Sequence, residues 1–163
     1  MKIGLISDTH SYLDDAVFKY FEDCDEIWHA GDFGSLDVIE KLRAFKPLRG
    51  VYGNIDDKLI QLQYPENLRF KCEDVDVWIT HIGGYPGKYS PLVKPEILNN
   101  PPKLFITGHS HILKVQYDQK LKLLHINPGA AGKQGWHKVR TIMRFEINSD
   151  KIENLEVIEL QPR

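Results

Sequence analysis

Asp8 and His10 stand two residues apart directly after an apolar run, Ile3-Gly4-Leu5-Ile6. An extended chain sends residues i and i+2 to the same side, so a carboxylate and an imidazole can aim at one point. Such a pair is the beginning of a borderline metal site. Alone it is a weak signal, because Asp and His fall two apart by chance in many chains. The pattern recurs, however. Other apolar runs end in Gly31-Asp32, Gly53-Asn54, Thr80-His81 and Gly108-His109-Ser110-His111. A glycine before Asp32, Asn54 and His109 lets the backbone turn tightly and approach closely. The candidate ligands are Asp8, His10, Asp32, Asn54, His81, His109 and His111. Imidazoles, carboxylates and one amide, with no thiolate, suit Mn²⁺, Fe, Zn²⁺, Co²⁺ or Ni²⁺ better than Ca²⁺ or a soft metal. The set exceeds what one tetrahedral ion needs, and two ions sharing a carboxylate would use it up.

The elements that must carry these residues follow from hydrophobic periodicity. Residues 2–7 read as a buried strand. Ser11 reads as an N-cap, with Leu13, Ala16, Val17, Tyr20 and Phe21 on one helical face. A second strand spans 26–30. Ser35 caps a second helix, with Leu36, Ile39, Leu42 and Phe45 inward and Pro47 closing it. A third strand covers 48–52. This β-α-β-α-β run implies a parallel sheet with right-handed crossovers. A short helix is expected at 57–63 and a strand at 75–80. A glycine-rich loop at 83–89, a broken helix at 91–98 and a strand at 104–107 come next. Beyond residue 112, strands at 115–117, 121–126, 141–147 and 155–160 read as an antiparallel series, expected to add a mixed or antiparallel sheet. In open α/β sheets ligands gather outside the carboxyl ends of strands, which is where the candidate residues fall.

Composition bounds the reading. The chain has 163 residues, 42% of them hydrophobic, as expected of one domain spanning 1–163. A chain of this length buries roughly 70% of its unfolded surface. A formal net charge of −2 gives no electrostatic case for general nucleic-acid binding. Cys24 and Cys72 make no C-x-x-C pair and read as small buried residues of a reducing compartment. Neither a signal peptide nor a membrane-spanning stretch is visible, so a cytoplasmic protein is expected.

The ordered set Asp-x-His, Gly-Asp, Gly-Asn, His and Gly-His-x-His, each after a strand, resembles the calcineurin-like metallophosphoesterase family, and the short chain its small prokaryotic phosphodiesterase branch. The resemblance covers residues 1 to about 130 by motif. It implies an α/β fold: a two-sheet β-sandwich flanked by helices in four αββα layers. It implies one metal held by Asp8, His10, Asp32 and His111, and a second held by Asp32, Asn54, His81 and His109, with Asp32 as bridge. A carboxylate has two oxygens to share, whereas an imidazole gives one nitrogen to one metal. Two divalent transition-metal ions, Mn²⁺ foremost, would activate water against a phosphate ester, with Asp32, Asn54 and His81 catalytic through metal and phosphate positioning. The chain departs from the family at Ile55, where many members carry His and the small branch often Cys; Ile55 donates no proton, which leaves solvent or Asp56 as the source.

The implied function is a metal-dependent phosphodiesterase acting on a small phosphate ester. A protein-binding scaffold, as in the retromer subunit of the same fold, and a phosphomonoesterase are the alternatives. Scaffold relatives tend to lose ligands, and here none is lost. A homo-oligomer is compatible with the exposed strands, with no interface located. A lone histidine is more often packed or solvated than ligating, and that reading is kept for His29, His125 and His137. His29 could orient a neighbouring ligand. Tyr85, Lys88 and Tyr89 could cover a phosphate or simply form a solvated loop. Trp78 reads as core, and Trp136 as either a stacking platform or a plug.

Overall fold

Alternation along the strands sets the layers. The computed structural model describes residues 1–163. In β1 (Lys2–Ile6) Ile3 and Leu5 face one way and Ile6 the other, and all three are fully buried. A strand apolar on both faces needs a layer on each side. Ile3 and Leu5 pack against a second sheet, and Ile6 packs under helices.

The first sheet has the order β12-β11-β1-β2-β3, with β2 at Glu26–His29, β3 at Leu48–Gly50, β11 at Thr141–Asn148 and β12 at Lys151–Glu159. The second has the order β4-β5-β8-β10-β9, with β4 at Asn67–Cys72, β5 at Val75–Thr80, β8 at Leu104–Ile106, β9 at Lys114–Asp118 and β10 at Leu123–Asn127. Between them lies a core that includes Ile3, Leu5, Trp28, Val77, Ile79, Ile106, Ile126 and Phe145. Outside the first sheet, α1 (Ala16–Tyr20), α2 (Leu36–Phe45) and α3 (Lys58–Gln61) bury Val17, Val38, Ile39, Leu42 and Ile60. Outside the second, α4 (Lys94–Asn99) contributes Ile97 to a smaller cluster with Trp78, Phe105 and Leu123. A two-stranded hairpin, β6 (Gly84–Tyr85) with β7 (Lys88–Tyr89), lies beyond β5 in the chain. These layers are the expected helix-flanked two-sheet sandwich.

Parallel pairing positions the site. β1, β2 and β3 run parallel, and so do β5, β8 and β10. The loops after β1, β2, β3, β5 and β8 carry all seven candidate ligands, so they leave strand ends of one sense.

Two expectations need correction, and one strand has no counterpart in the sequence reading. The first helix begins at Ala16, not after Ser11. Ser11 has φ +68°, and its N–H donates to Phe33 O at 2.9 Å, so the segment is tied to the β2 loop instead of coiling. Asp14 Oδ1 accepts the Ala16 N–H at the helix start. Second, the second half adds a mixed sheet as expected, but the strands after residue 112 are divided between both sheets. β9 and β10 join the second sheet, while β11 pairs antiparallel with β1 and carries β12 to the edge of the first. The strand without a counterpart is β4, whose signal is weak: its charged and polar residues alternate loosely because it is an edge strand with partly exposed faces.

Candidate metal centre

Five of the seven candidate ligands sit in the left-handed backbone region: Asp8 at φ +53°, His10 at +45°, Asp32 at +59°, His109 at +71° and His111 at +62°. Each such residue costs about 1–2 kcal/mol relative to ordinary backbone. Asp and His are among the non-glycine residues found there most often. Backbone hydrogen bonds hold the conformation. The N–H groups of Asp8, His10 and Ser11 donate to Gly31 O, Asp32 O and Phe33 O at 3.0, 3.0 and 2.9 Å, lacing the first loop to the second.

The side chains converge in two groups: Asp8, His10 and His111, and Asp32, His81 and His109, with the donor atoms of each group all within 4.8 Å of one another. Asp32 Oδ2 stands 3.3 Å from His10 Nε2 and 3.1 Å from His81 Nε2, and thus lies between the groups. His111 Nε2 is 3.1 Å and His81 Nε2 is 3.8 Å from Asp8 Oδ1. Asn54 Oδ1 faces His109 Nδ1 at 3.0 Å. The structure therefore brings all seven candidates into one constellation.

The chemistry of these atoms fits divalent cations. His81 Nδ1 is 2.7 Å from Ala30 O, which can only accept, so Nδ1 carries the proton and the Nε2 lone pair points at Asp32. A lone pair facing a carboxylate requires a cation or a second proton between them. Asp8 Oδ1, His10 Nε2 and His81 Nε2 are buried without any hydrogen-bond partner, a costly state that a coordinated ion removes. Without metal, protons take that place. Burial opposes ionisation of Asp8 and Asp32, yet the facing imidazoles of His10, His111 and His81 hold both carboxyls well below the usual range. Asp32 and Asp8 in turn raise His10 to about 9. His81 is also raised, with Asp32 and Asp8 outweighing its burial.

Polar neighbours fix the ligands, and sequence reasoning missed most of them. Ser7 Oγ donates to Asp8 Oδ2 at 2.6 Å, and the His109 N–H donates to the same oxygen at 3.1 Å, which leaves Oδ1 for the centre. The Ile55 N–H donates to Asp32 Oδ1 at 3.1 Å, so the backbone of that residue, not its side chain, serves the site. His29 is packed, the reading kept for it, and its ring also ties the β1 and β2 loops together. Its Nδ1 accepts the Gly31 N–H at 3.1 Å, and its Nε2–H donates to Thr9 Oγ1 at 3.0 Å. Thr9 then donates to Phe33 O at 2.9 Å. Full burial keeps this imidazole neutral, down to about 3. Asn127 Nδ2 donates to Gly108 O at 2.9 Å, steadying the last ligand loop. Its only signal in the sequence is the turn Asn127-Pro128-Gly129.

Two glycines are required by close approach. A Cβ at Gly53 would sit 2.1 Å from Asp32 Oδ1, and one at Gly108 would sit 2.3 Å from Ser7 Oγ.

Asp56 is committed to the backbone of the loops. It is 3% exposed, and its oxygens accept the N–H groups of Phe33, Gly34 and Gly53. It clamps the second and third ligand loops together, and the helix cap is Asp57, whose Oδ1 accepts the Ile60 N–H. Trp136 is 99% exposed and plugs nothing. Trp78 is core as expected. Cys24 and Cys72 are both buried and free.

The sequence over residues 1–150 matches the calcineurin-like phosphoesterase superfamily domain. The chain belongs to this superfamily. A curated relative from Methanothermobacter thermautotrophicus, a probable metallophosphoesterase, is 33% identical over 135 residues, covering 80% of this chain and 77% of its own. A solved archaeal phosphodiesterase superposes with TM-score 0.79 at 25% identity, over 98% of this chain and all of its own. Vps29 of Chaetomium thermophilum superposes with TM-score 0.77 at 15% identity, over 98% of this chain and 97% of its own, and shares the fold. No helix is long and apolar enough to cross a membrane.

Proposed function

We infer that this calcineurin-like phosphoesterase is a phosphodiesterase holding two divalent transition-metal ions, with Mn²⁺ foremost and Ni²⁺, Zn²⁺, Fe or Co²⁺ as alternatives. The observation that carries the reading is Asp32 Oδ2, poised between His10 and His81 of the two ligand groups. Asp8, His10, Asp32 and His111 would hold one ion, and Asp32, Asn54, His81 and His109 the other. Bound ions of this kind supply Lewis acidity toward a phosphoryl oxygen and acidify water.

The chain's own residues do the rest. Two carboxylates against two divalent charges leave the centre net positive and attract a phosphate. Asp32, Asn54 and His81 position both charges relative to that phosphate. Ile55 is 45% exposed and offers no proton. Hydrolysis therefore favours good leaving groups, protonated from solvent.

Preference for diesters is supported by the surroundings of the centre. One cleft of about 310 Å³ opens beside Asn54 and His81, and another of about 280 Å³ beside His109. A monoester has one arm to place and a diester has two. The scaffold alternative needs no intact ligand set, and nothing in the site favours it.

Stripping the protein with chelator, then adding back Mn²⁺, Ni²⁺, Zn²⁺ or nothing, tests the reading. Metal-dependent hydrolysis of bis(p-nitrophenyl) phosphate in preference to p-nitrophenyl phosphate, with two ions bound per chain, is the expected result. Two bound ions without turnover of either ester would transfer the case to the scaffold alternative.

A further inference from the structure

The cleft beside His109 lies between the β6–β7 hairpin and the end of the second sheet. Gly83 and Gly84 form one wall without side chains, and Ile112 adds an apolar surface on the other. His125 lines it as well; this imidazole is 1% exposed, its Nε2 is 2.9 Å from Thr107 Oγ1, and its Nδ1 has no hydrogen-bond partner. Burial keeps it neutral, down to about 4. Lys114 is thus the only fixed charge, since no carboxylate lines the cleft. Its ammonium lies 3.8 Å from the centroid of the Tyr85 ring, which bridges β9 to the hairpin. The hairpin is fastened a second time by Tyr89, whose hydroxyl donates to Asp118 Oδ2 at 2.7 Å. The walls are therefore held in place before any ligand arrives.

We propose that this cleft is the subsite for one ester arm of the substrate, and that it takes a single unsaturated ring carrying an anionic group. The inference rests on the phosphodiesterase reading for the position of the phosphate. Its chemistry comes from the cleft alone. An apolar slot favours a ring, and a lysine with no carboxylate in the cleft favours a negative group at the ring's far end. Size sets the limit. At about 280 Å³ the cleft stands at the lower end of the roughly 300–1,000 Å³ typical of small-ligand pockets, which suits a single ring.

Two measurements test it. The first uses p-nitrophenyl diesters whose second arm is phenyl or 4-carboxyphenyl, with the leaving group held constant. The wild-type protein should favour the carboxyphenyl arm in kcat/KM by about tenfold, the scale of one charge-assisted contact. Lys114→Met should bring the ratio close to one, and a ratio equal in wild type and variant overturns the proposal. The second needs no turnover. With the full chain loaded with diamagnetic Zn²⁺, 4-hydroxybenzoate should shift the amide resonances of Gly83, Gly84 and Ser110, and phenol should shift them less. Shifts absent there, or equal for both probes, overturn the subsite. If no diester is hydrolysed, the phosphodiesterase reading fails and the amide shifts alone decide the subsite.

Discussion

The two ends of the sandwich use the same unusual backbone for different ends. At the ligand end, Asp8, His10, Asp32, His109 and His111 have positive φ. At the opposite end Glu73, Lys122 and Ser149 have it too, at +49°, +55° and +56°. Those three close the β4–β5, β9–β10 and β11–β12 turns, and their types are mixed: a carboxylate, an amine and a hydroxyl. At the ligand end five of the six are Asp or His, with side chains turned inward toward the two ligand groups, and the sixth, Ser11 at φ +68°, ties the first loop to the second through its N–H. Left-handed backbone at a turn is a local solution to chain reversal. At a strand end with a functional side chain it aims that side chain, and the cost is sustained by the hydrogen bonds lacing the loops together.

The largest break in this comparison comes from Asp32, whose carboxylate lies between the two ligand groups. Asp32→Ala should empty both ion positions and lower kcat/KM on bis(p-nitrophenyl) phosphate by at least about a thousandfold, the upper scale for removing one strong electrostatic element. Metal analysis by mass spectrometry checks it, and full occupancy in the variant would refute the bridging role. Close approach gives the next largest effect. Gly53→Ala and Gly108→Ala should weaken metal binding by about 10–100-fold, the scale seen when groups that orient ligands are lost. Circular dichroism should show the fold retained, because the clashes fall within the ligand loops: on Asp32 Oδ1 and the Asp32 backbone N for Gly53, and on Ser7 Oγ and Asp8 Oδ2 for Gly108. Unaltered metal affinity in both would show that these loops relax freely.

The same contrast explains what could be read in the sequence. The candidate ligands were legible because apolar runs announce strands and each run ends in a donor. The parallel first third was legible from its helical periodicity. The first helix start was not, since Ser11 looks like a cap locally and its N–H is claimed by Phe33 O, a contact between loops distant in sequence. Asp56 looks equally like a helix cap in sequence, and only the meeting of three backbone N–H groups makes it a clamp. The partition of the last four strands between two sheets escaped too, because strand pairing is decided by which inner face each strand fills, not by local pattern.

His29 sharpens the comparison at intermediate size. Its side chain connects Gly31 to Thr9 beneath the ligand loops. Folded, it titrates at about 3, whereas an unfolded histidine titrates near 6.5. Between these values the unfolded chain takes up a proton that the folded chain refuses, so stability falls as pH drops from about 6.5 toward 3. His29→Gln should cost about 1–3 kcal/mol at neutral pH through unsatisfied partners. It should also flatten the dependence of Tm on pH across that window. A slope unchanged from wild type would mean that another group sets the acid limb.

The smallest effect belongs to the opposite end, and its sign matters more than its size. Ser149 has φ +56°, and its contacts run through the backbone: its N–H donates to Glu73 Oε1 at 2.8 Å, and its carbonyl accepts the Asp74 N–H at 3.0 Å. Glycine keeps both bonds and removes the Cβ strain, about 1–2 kcal/mol, while adding freedom to the unfolded chain worth about 0.4–1 kcal/mol. Ser149→Gly should therefore stabilise by up to about 1 kcal/mol in chemical denaturation and leave metal content and turnover untouched. A destabilised variant would mean that positive φ at this end carries more than chain reversal, and the distinction between the two ends would lose its basis.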